Sequence, residues 1–251
     1  NEGSVFFKNL RANYFNSSIK ANAKYSKSNK KLKGNISIFD YLVKDQSIGN
    51  SEFYIKDTSF DCDSEFLITN KITDQFLDKF NATGECISTN ANIVGINIDK
   101  ISNKVDNIET FQDFFNLFNK KKMKGVTPLD SVNFTFRLND GTFFLNNFEA
   151  IQKNIKVLSQ GKYSIYNNSI DLKNDIFIKT NKFKNLPSFQ VLVNGNSKNP
   201  KVSYDFEKMR SAILTDGINT ILKNQKKIVI NPKEFKNIID KNSKELRPEK
   251  I

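Results

Sequence analysis

From Val132 to Asp205 apolar and polar residues alternate so regularly that few folds are open to the chain. Val132, Phe134, Phe136 and Leu138 point one way and Asn133, Thr135, Arg137 and Asn139 the other, the two-residue period of a strand buried on one face. Asp140-Gly141 turns the chain. A second long run sets Ile155, Val157, Ser159, Gly161, Tyr163 and Ile165 mostly opposite Lys156, Gln160, Lys162 and Ser164, and Asn167-Asn168 closes it as a hairpin tip. Ile170 and Leu172 open the return strand, and Phe189, Val191 and Val193 line another beyond Pro187. A turn over Asn194 to Pro200 leads into Lys201–Asp205, after which the pattern becomes helical. The segment reads as an antiparallel meander with one apolar face.

The upstream half repeats this theme. Val5–Leu10, then Ile19, Ala21, Ala23 and Tyr25, then Leu32, Gly34, Ile36 and Ile38 read as three strands separated by polar turns. Phe39–Lys44 reads as a short helical turn before a strand pair at Glu52–Asp57 and Ser59–Asn70. In the second of these, Phe60, Cys62, Ser64, Phe66 and Ile68 alternate with Asp61, Asp63, Glu65 and Thr69, an acidic ladder opposite an apolar stripe. Asn81–Ser88 and Ile93–Ile98 return to strand.

Three places carry helical spacing. Thr73 can cap a short helix that brings Phe76, Leu77 and Phe80 together. A longer helix is expected over Ile108–Lys121, with Phe111, Phe114, Phe115 and Phe118 on one face and a Lys120–Lys122 end suited to the helix dipole. Such a stripe is ordinary core contact, or, on a sharper reading, a lid over an apolar groove. Beyond Asp205, Phe206, Met209, Ile213, Ile221 and Leu222 mark an amphipathic helix weakened at Gly217, and Pro232 opens a last one over 233–241. The organisation expected is a β-domain over 1–205 followed by a helical tail over 206–251.

The chemistry is narrowed by absences in the sequence. With no His among 251 residues there is no Ser-His-Asp or Cys-His constellation and no imidazole metal ligand. Gly84, Gly95 and Gly125 stand alone, so no phosphate-cradling loop is formed. Asp61, Asp63 and Glu65 fall on the wet face of a strand and read as a solvated edge. Neither an enzyme, a metal site nor a cofactor is expected. The 39 Lys and Arg against 27 Asp and Glu give a net charge of +12, which reads first as a solvated surface and second as attraction to an anionic partner. Nucleic acid is the weaker choice of partner, because that reading wants aromatics interleaved with Lys on an exposed face, and here the Phe residues segregate from the polar ones. No window holds the roughly 18 apolar residues of a membrane-spanning helix. Asn1 stands where a Met would start a chain, and no charged-then-apolar leader follows; a targeting segment is expected upstream, and Lys244–Ile251 reads as a frayed terminus.

Cys62 and Cys86 are the only thiols. A bridge between them would stabilise by about 3 kcal/mol on the chain-entropy estimate. A hairpin centred on a helix from Thr73 to Phe80, however, places Cys62 opposite a residue several positions beyond Cys86. Two buried free thiols are therefore the default expectation.

The order of turns, helices and strands carries a resemblance. Gly125-Val126-Thr127-Pro128-Leu129-Asp130-Ser131, Asn139-Asp140-Gly141, Gly161 within a long strand, Ser169-Ile170-Asp171-Leu172, Leu186-Pro187, Val193-Asn194-Gly195 and Asn199-Pro200-Lys201-Val202 follow one another as in the C-terminal region of the AsmA family of bacterial envelope proteins. Upstream, Leu10-Arg11-Ala12-Asn13-Tyr14 and the stretch from Gly84 to Asp99 keep the same order, so the likeness runs to about Phe206. The chain departs from the family in having Asn and Lys where strand interiors are usually Gly-rich, and in showing no membrane anchor.

The resemblance implies a member of the AsmA, TamB and YhdP group: a mainly β fold with a long curved antiparallel sheet forming an apolar groove, short amphipathic helices inserted and a helical C-terminal tail. It implies a periplasmic protein tethered to the inner membrane by an upstream segment, with phospholipid and the envelope membranes as partners, acting in phospholipid transport and outer-membrane assembly. The groove candidates are Ile36, Ile38, Phe60, Phe66, Ile68, Val132, Phe134, Phe136, Leu138, Val157, Ile165, Phe189, Val191 and Val193, with Phe111, Phe114, Phe115 and Phe118 as the lid. The rival architecture is a closed β-sandwich in which the same residues pack on one another.

Overall fold

The computed structural model describes residues 3–43, 54–69, 76–117, 123–183 and 185–224. In chain order these form β1 (Ser4–Tyr14), β2 (Ser17–Ser26), β3 (Lys31–Val43), β4 (Tyr54–Lys56), β5 (Thr58–Thr69), a 3-10 turn (Phe76–Lys79), β6 (Phe80–Ser88), β7 (Ala91–Val94), α1 (Ile98–Asp106) and α2 (Phe111–Leu117). There follow β8 (Val126–Leu129), β9 (Ser131–Asn139), β10 (Thr142–Gln152), β11 (Ile155–Ser164), β12 (Ser169–Ile178), β13 (Phe189–Asn196), β14 (Lys201–Asp205) and α3 (Glu207–Asn224). The chain is mainly β. One antiparallel sheet of 11 strands runs β1-β2-β3-β5-β6-β9-β10-β11-β12-β13-β14 and leaves β1 and β14 as its ends.

A second, three-stranded sheet, β4-β7-β8, grows out of the first. β4 leads directly into β5, β6 into β7 and β8 into β9, so three neighbouring strands of the large sheet each continue into the small one. The corners fall at Asp57, in a left-handed conformation (φ 46°), at Thr89-Asn90 and at Asp130. Thr58, fully buried at the first corner, donates to Lys56 O at 2.9 Å and accepts from Asn92 N at 3.3 Å, joining β4 to β7. Three strands thus turn back over one face of their own sheet.

α1 sits on this second layer. The expected strand over Ile93–Ile98 stops at Val94, because Gly95 takes φ 108° and Asn97 begins a helix instead, its side chain accepting from Lys100 N at 2.7 Å. That is the N-cap arrangement. Ile98, Ile101 and Val105 then fall on one face and are buried, with Ile96 and Ile108 beside them; each is worth roughly 1.5–3 kcal/mol of transfer free energy. Thr127 locks the entry: its hydroxyl donates to Ile96 O at 2.8 Å and accepts from Ile98 N at 2.9 Å, entirely out of contact with water. α2 opens with a reciprocal cap, Asp113 accepting from Thr110 N and Oγ1 while Asp113 N donates to Thr110 Oγ1. The Thr110 hydroxyl bond, opposed in part by desolvation and aided by the two backbone bonds and Lys182, lowers the Asp113 carboxyl below its ordinary value.

Other expectations are revised where the backbone bulges. Phe39–Val43 is the end of β3 and not a helical turn, Lys44 lying outside the described residues, because Asp40 at φ 57° absorbs an extra residue between Ile38 and Tyr41 and the ladder to β5 resumes. β10 hides its alternation in the same way, with Asn147 at φ 47° and a register shift between Leu145 and Phe148. Phe80 begins β6 and does not join the short helix, which is a 3-10 turn ending at Lys79. α3 follows Asp205, whose carboxylate accepts from Glu207 N at 2.9 Å, and buries Met209 and Ile213 in the same hydrophobic cluster as Val191 and Phe189. Thr73 and the helix expected over 233–241 lie outside the described residues.

The Thr127 double bond gives a direct test. Thr127→Val keeps the shape but strands a buried carbonyl and a buried N–H, each costing about 1–3 kcal/mol. Urea unfolding is expected to show a loss in that range or above it, with unchanged slope, whereas Thr135→Val, at a solvent-side position, should unfold near wild type.

Candidate functional site

Strand register assembles one apolar face across the whole large sheet. Reading across one row, Leu10, Ala21, Ile36, Ser64, Gly84, Phe136, Leu145, Gly161, Leu172, Val193 and Val202 are successive cross-strand partners. The neighbouring rows carry Ile38, Cys62, Cys86 and Phe134 on one side and Phe66, Ala82, Leu138, Phe143, Tyr163 and Ile170 on the other. The opposite face holds Lys20, Lys24, Lys33, Asn35, Asp63, Glu65, Thr83, Glu85 and Arg137. Asp61, Asp63 and Glu65 are exposed there, as the alternation requires, and Asp61 accepts from Asp40 N at 2.8 Å.

Glycines set how closely side chains lie on this face. A Cβ on Gly84 would come 2.8 Å from the Phe136 ring and 2.5 Å from Asp63 O. The ring of Phe136 therefore reaches over the glycine of the next strand and stacks on Phe143 at 5.3 Å. Phe66 lies against Gly34 in the same way.

The face is covered over only part of its extent. Phe60, Val132, Val157, Phe189, Val191 and Val193 are enclosed by the chain's own second layer and helices, in one cluster with Ile93, Ile98, Leu129, Met209 and Ile213. These six groove candidates are core residues, a correction that follows from the three strands turning back over them. Of the lid helix, Phe114 is buried with Leu117 in the same cluster and is core as well. Phe118, and the side chains of Phe111 and Phe115, lie outside the described residues.

Ile36, Ile38, Phe66, Ile68, Phe134, Phe136, Leu138 and Ile165 are half-buried. Phe134 packs on Phe60 and Phe148 at the border of the covered zone. Ile165 stands in the hairpin turn and not in β11, its N–H donating to Gly141 O at 2.9 Å. Beside Phe136 and Leu138 opens a hollow of about 520 Å³ lined by Phe143, Leu145, Lys162, Tyr163, Ile170, Leu172 and the turn residues Asn168, Ser197 and Lys198. It has the size of a small-molecule site and is almost wholly apolar. Sequence reading missed Phe143, Leu145, Tyr163, Ile170 and Leu172 as site residues. The signal was present in β11 and β12, and in β10 it was hidden by the bulge.

Polar groups mark the boundary. Ser159 and Asn174, buried on the apolar face, are satisfied by Ser159 Oγ donating to Asn174 Oδ1 at 2.7 Å and Asn174 Nδ2 donating to Val191 O at 2.8 Å. Cys62 and Cys86 are directly opposed in the ladder, 4.1 Å apart at Cα, and form a disulfide. The expectation of free thiols is corrected because β6 already begins at Phe80 opposite Ile68, which moves the centre of the hairpin towards its start. Tyr166 in the β11–β12 turn rests on Gly141 and donates to Asp78 Oδ1 at 2.7 Å. Desolvation and the Asp78 carboxylate push its phenol up to about 12.

Comparison with protein-family models, with curated proteins and with solved structures finds no match. Among the described residues no group of His, Cys, Asp and Glu is placed to hold a metal ion, and no helix is long and apolar enough to cross a membrane.

Two measurements follow. Reducing the disulfide, or replacing both cysteines by Ser, should lower unfolding free energy by about 3 kcal/mol, the chain-entropy value for such a loop, read as a shift between reducing and non-reducing denaturation curves. The Tyr166 tether is held below the unfolded phenol value near 10 and lost as pH rises through about 12. Ultraviolet titration should therefore show a late-ionising tyrosine that Tyr166→Phe removes.

Proposed function

We propose that this chain is a lipid-binding segment of an AsmA-like envelope protein, and that the half-covered part of its large sheet acts as a groove for acyl chains. The observation that carries the reading is the hollow beside Phe136, an almost purely apolar concavity set into a sheet whose opposite face is charged. Exposing a CH₂ group to water costs about 0.8 kcal/mol, so a chain of some sixteen carbons loses on the order of 10 kcal/mol in an unshielded aqueous gap. A strip of Phe, Leu and Ile beside solvent lowers that barrier while the headgroup stays hydrated. Such a function needs binding alone, with no nucleophile, metal or nucleotide.

In this reading the sheet curves around its ligand, the covered zone closes one end of the groove, and phospholipid is the cargo. The chain works in the periplasm, tethered to the inner membrane by an upstream segment, in phospholipid transport and outer-membrane assembly. The order of turns and strands that resembles the AsmA, TamB and YhdP group supports this placement. The closed-sandwich alternative is favoured for the zone around Val191 and Phe189, where the second layer is complete. It does not extend to Phe136, Leu145 and Leu172, which are only half-buried.

Photo-crosslinking with a diazirine-bearing phospholipid tests this. Phe136→Asp should abolish labelling, whereas Arg137→Asp, on the opposite face, should leave it near wild type. Equal loss in both variants, or equal retention, would reject the assignment of the face.

A further inference from the structure

The first three strands carry a feature that acyl-chain binding does not use. Six of the large apolar side chains most exposed to water, Val5, Phe6, Phe7, Leu10, Tyr14 and Phe15, lie on β1 and the turn that follows it. Phe15 is the extreme case. It is 89% exposed, sits in a left-handed conformation (φ 51°) that a bulky residue rarely adopts, and touches Tyr14 edge-on at 4.7 Å. Asn or Gly would serve that turn better. Residues 3–43 also contain eight Lys or Arg against one acid, Asp40. Aromatics and cations are interleaved rather than segregated here: Lys24 Nζ lies 5.1 Å from the centre of the Phe6 ring, and Lys20 Nζ lies 4.8 Å from that of Phe39.

We infer that this end of the sheet docks on the surface of an anionic lipid bilayer, with Phe6, on the face that carries Lys20 and Lys24, and the turn residue Phe15 entering the headgroup region and those lysines meeting lipid phosphates. Charge complementarity selects the partner, since a dense positive field favours an anionic surface and exposed aromatic rings favour the membrane–water interface. Strand addition by another chain fits less well. A bulge between Phe7 and Leu10, pinned by Asn9 N donating to Asn22 Oδ1 at 2.9 Å, interrupts the edge, and Lys8 and Arg11 flank it; these are features that discourage edge pairing. The docking is independent of what occupies the hollow beside Phe136, although the same apolar face runs from Leu10 to that hollow.

Flotation with vesicles tests it. The chain should float with phosphatidylcholine vesicles containing about 30 mol% phosphatidylglycerol, should stay behind with phosphatidylcholine alone, and should be released by salt, as screening requires. Phe6→Ser with Phe15→Ser should lower partitioning by at least about tenfold, and Lys20→Glu with Lys24→Glu should do the same, while circular dichroism stays native in both. Phe136→Asp should float like wild type, which separates a failure of docking from a failure of the acyl-chain reading. Absence of flotation, equal flotation with neutral vesicles, full retention in either double variant, or binding to a short DNA duplex in place of vesicles would overturn the inference. Self-association that disappears with Phe6→Ser and Phe15→Ser would assign the surface to a second copy instead.

Discussion

The structure depends on how to hide an apolar face that spans eleven strands. A sheet with one apolar side needs a second layer, and that layer costs chain length. Here it comes from three short strand extensions, two small helices and the first turns of α3. These suffice to bury Val132, Ile155, Val157, Ile176, Phe189 and Val191 almost completely. They leave Phe136, Leu145 and Leu172 half-buried, and most apolar positions of β1 to β3 half-buried or exposed. The division between core and candidate site is therefore a matter of coverage and not of composition, since the same alternating residues serve both.

Coverage is fixed by a few polar contacts at the corners. Thr58 and Thr127 are fully buried hydroxyls that join segments which would otherwise diverge, β4 to β7 and the α1 entry to β8. Lys182 extends the clamp, its N–H donating to Asp106 Oδ1 at 2.9 Å and its ammonium to Ile108 O, and so ties the loop before β13 to the α1–α2 connection. Gln152 Nε2 reaches Asp99 at 3.3 Å from β10. Each bond spans a long stretch of sequence, which makes the second layer cooperative with the sheet below it. The tie from Tyr166 to Asp78 links the β11–β12 turn to the 3-10 turn before β6.

The two regions proposed to meet lipid differ in chemistry. Around the hollow the lining is Phe, Leu, Ile and Tyr with Lys162 of β11, Lys198 and other turn residues at its rim, suited to hydrocarbon chains. At β1 and β2 the aromatics share space with cations, an arrangement suited to an interface where phosphate and acyl carbon lie side by side. A continuous apolar face connects them through Ile36 and Ser64. On these two proposals, one sheet offers both a surface contact and a sheltered path.

The alternation of residues by itself determined the β class, the strands β9, β11, β12 and β13, the apolar face and the exposed acidic ladder at Asp61, Asp63 and Glu65. Period two is a local property, so it survives in any single strand. It failed where a bulge broke the count, at Asp40 and within β10, and where a cap outweighed an apolar run, at Asn97 before α1. The placement of Cys62 opposite Cys86 needed the hairpin centre, which a loop of uncertain length does not encode. Only the tertiary structure decided which apolar residues are core and which line the hollow. That depends on where three strands fold back over their own sheet, and a side chain such as Val191 cannot be told from Leu172 until the layer above it is in place.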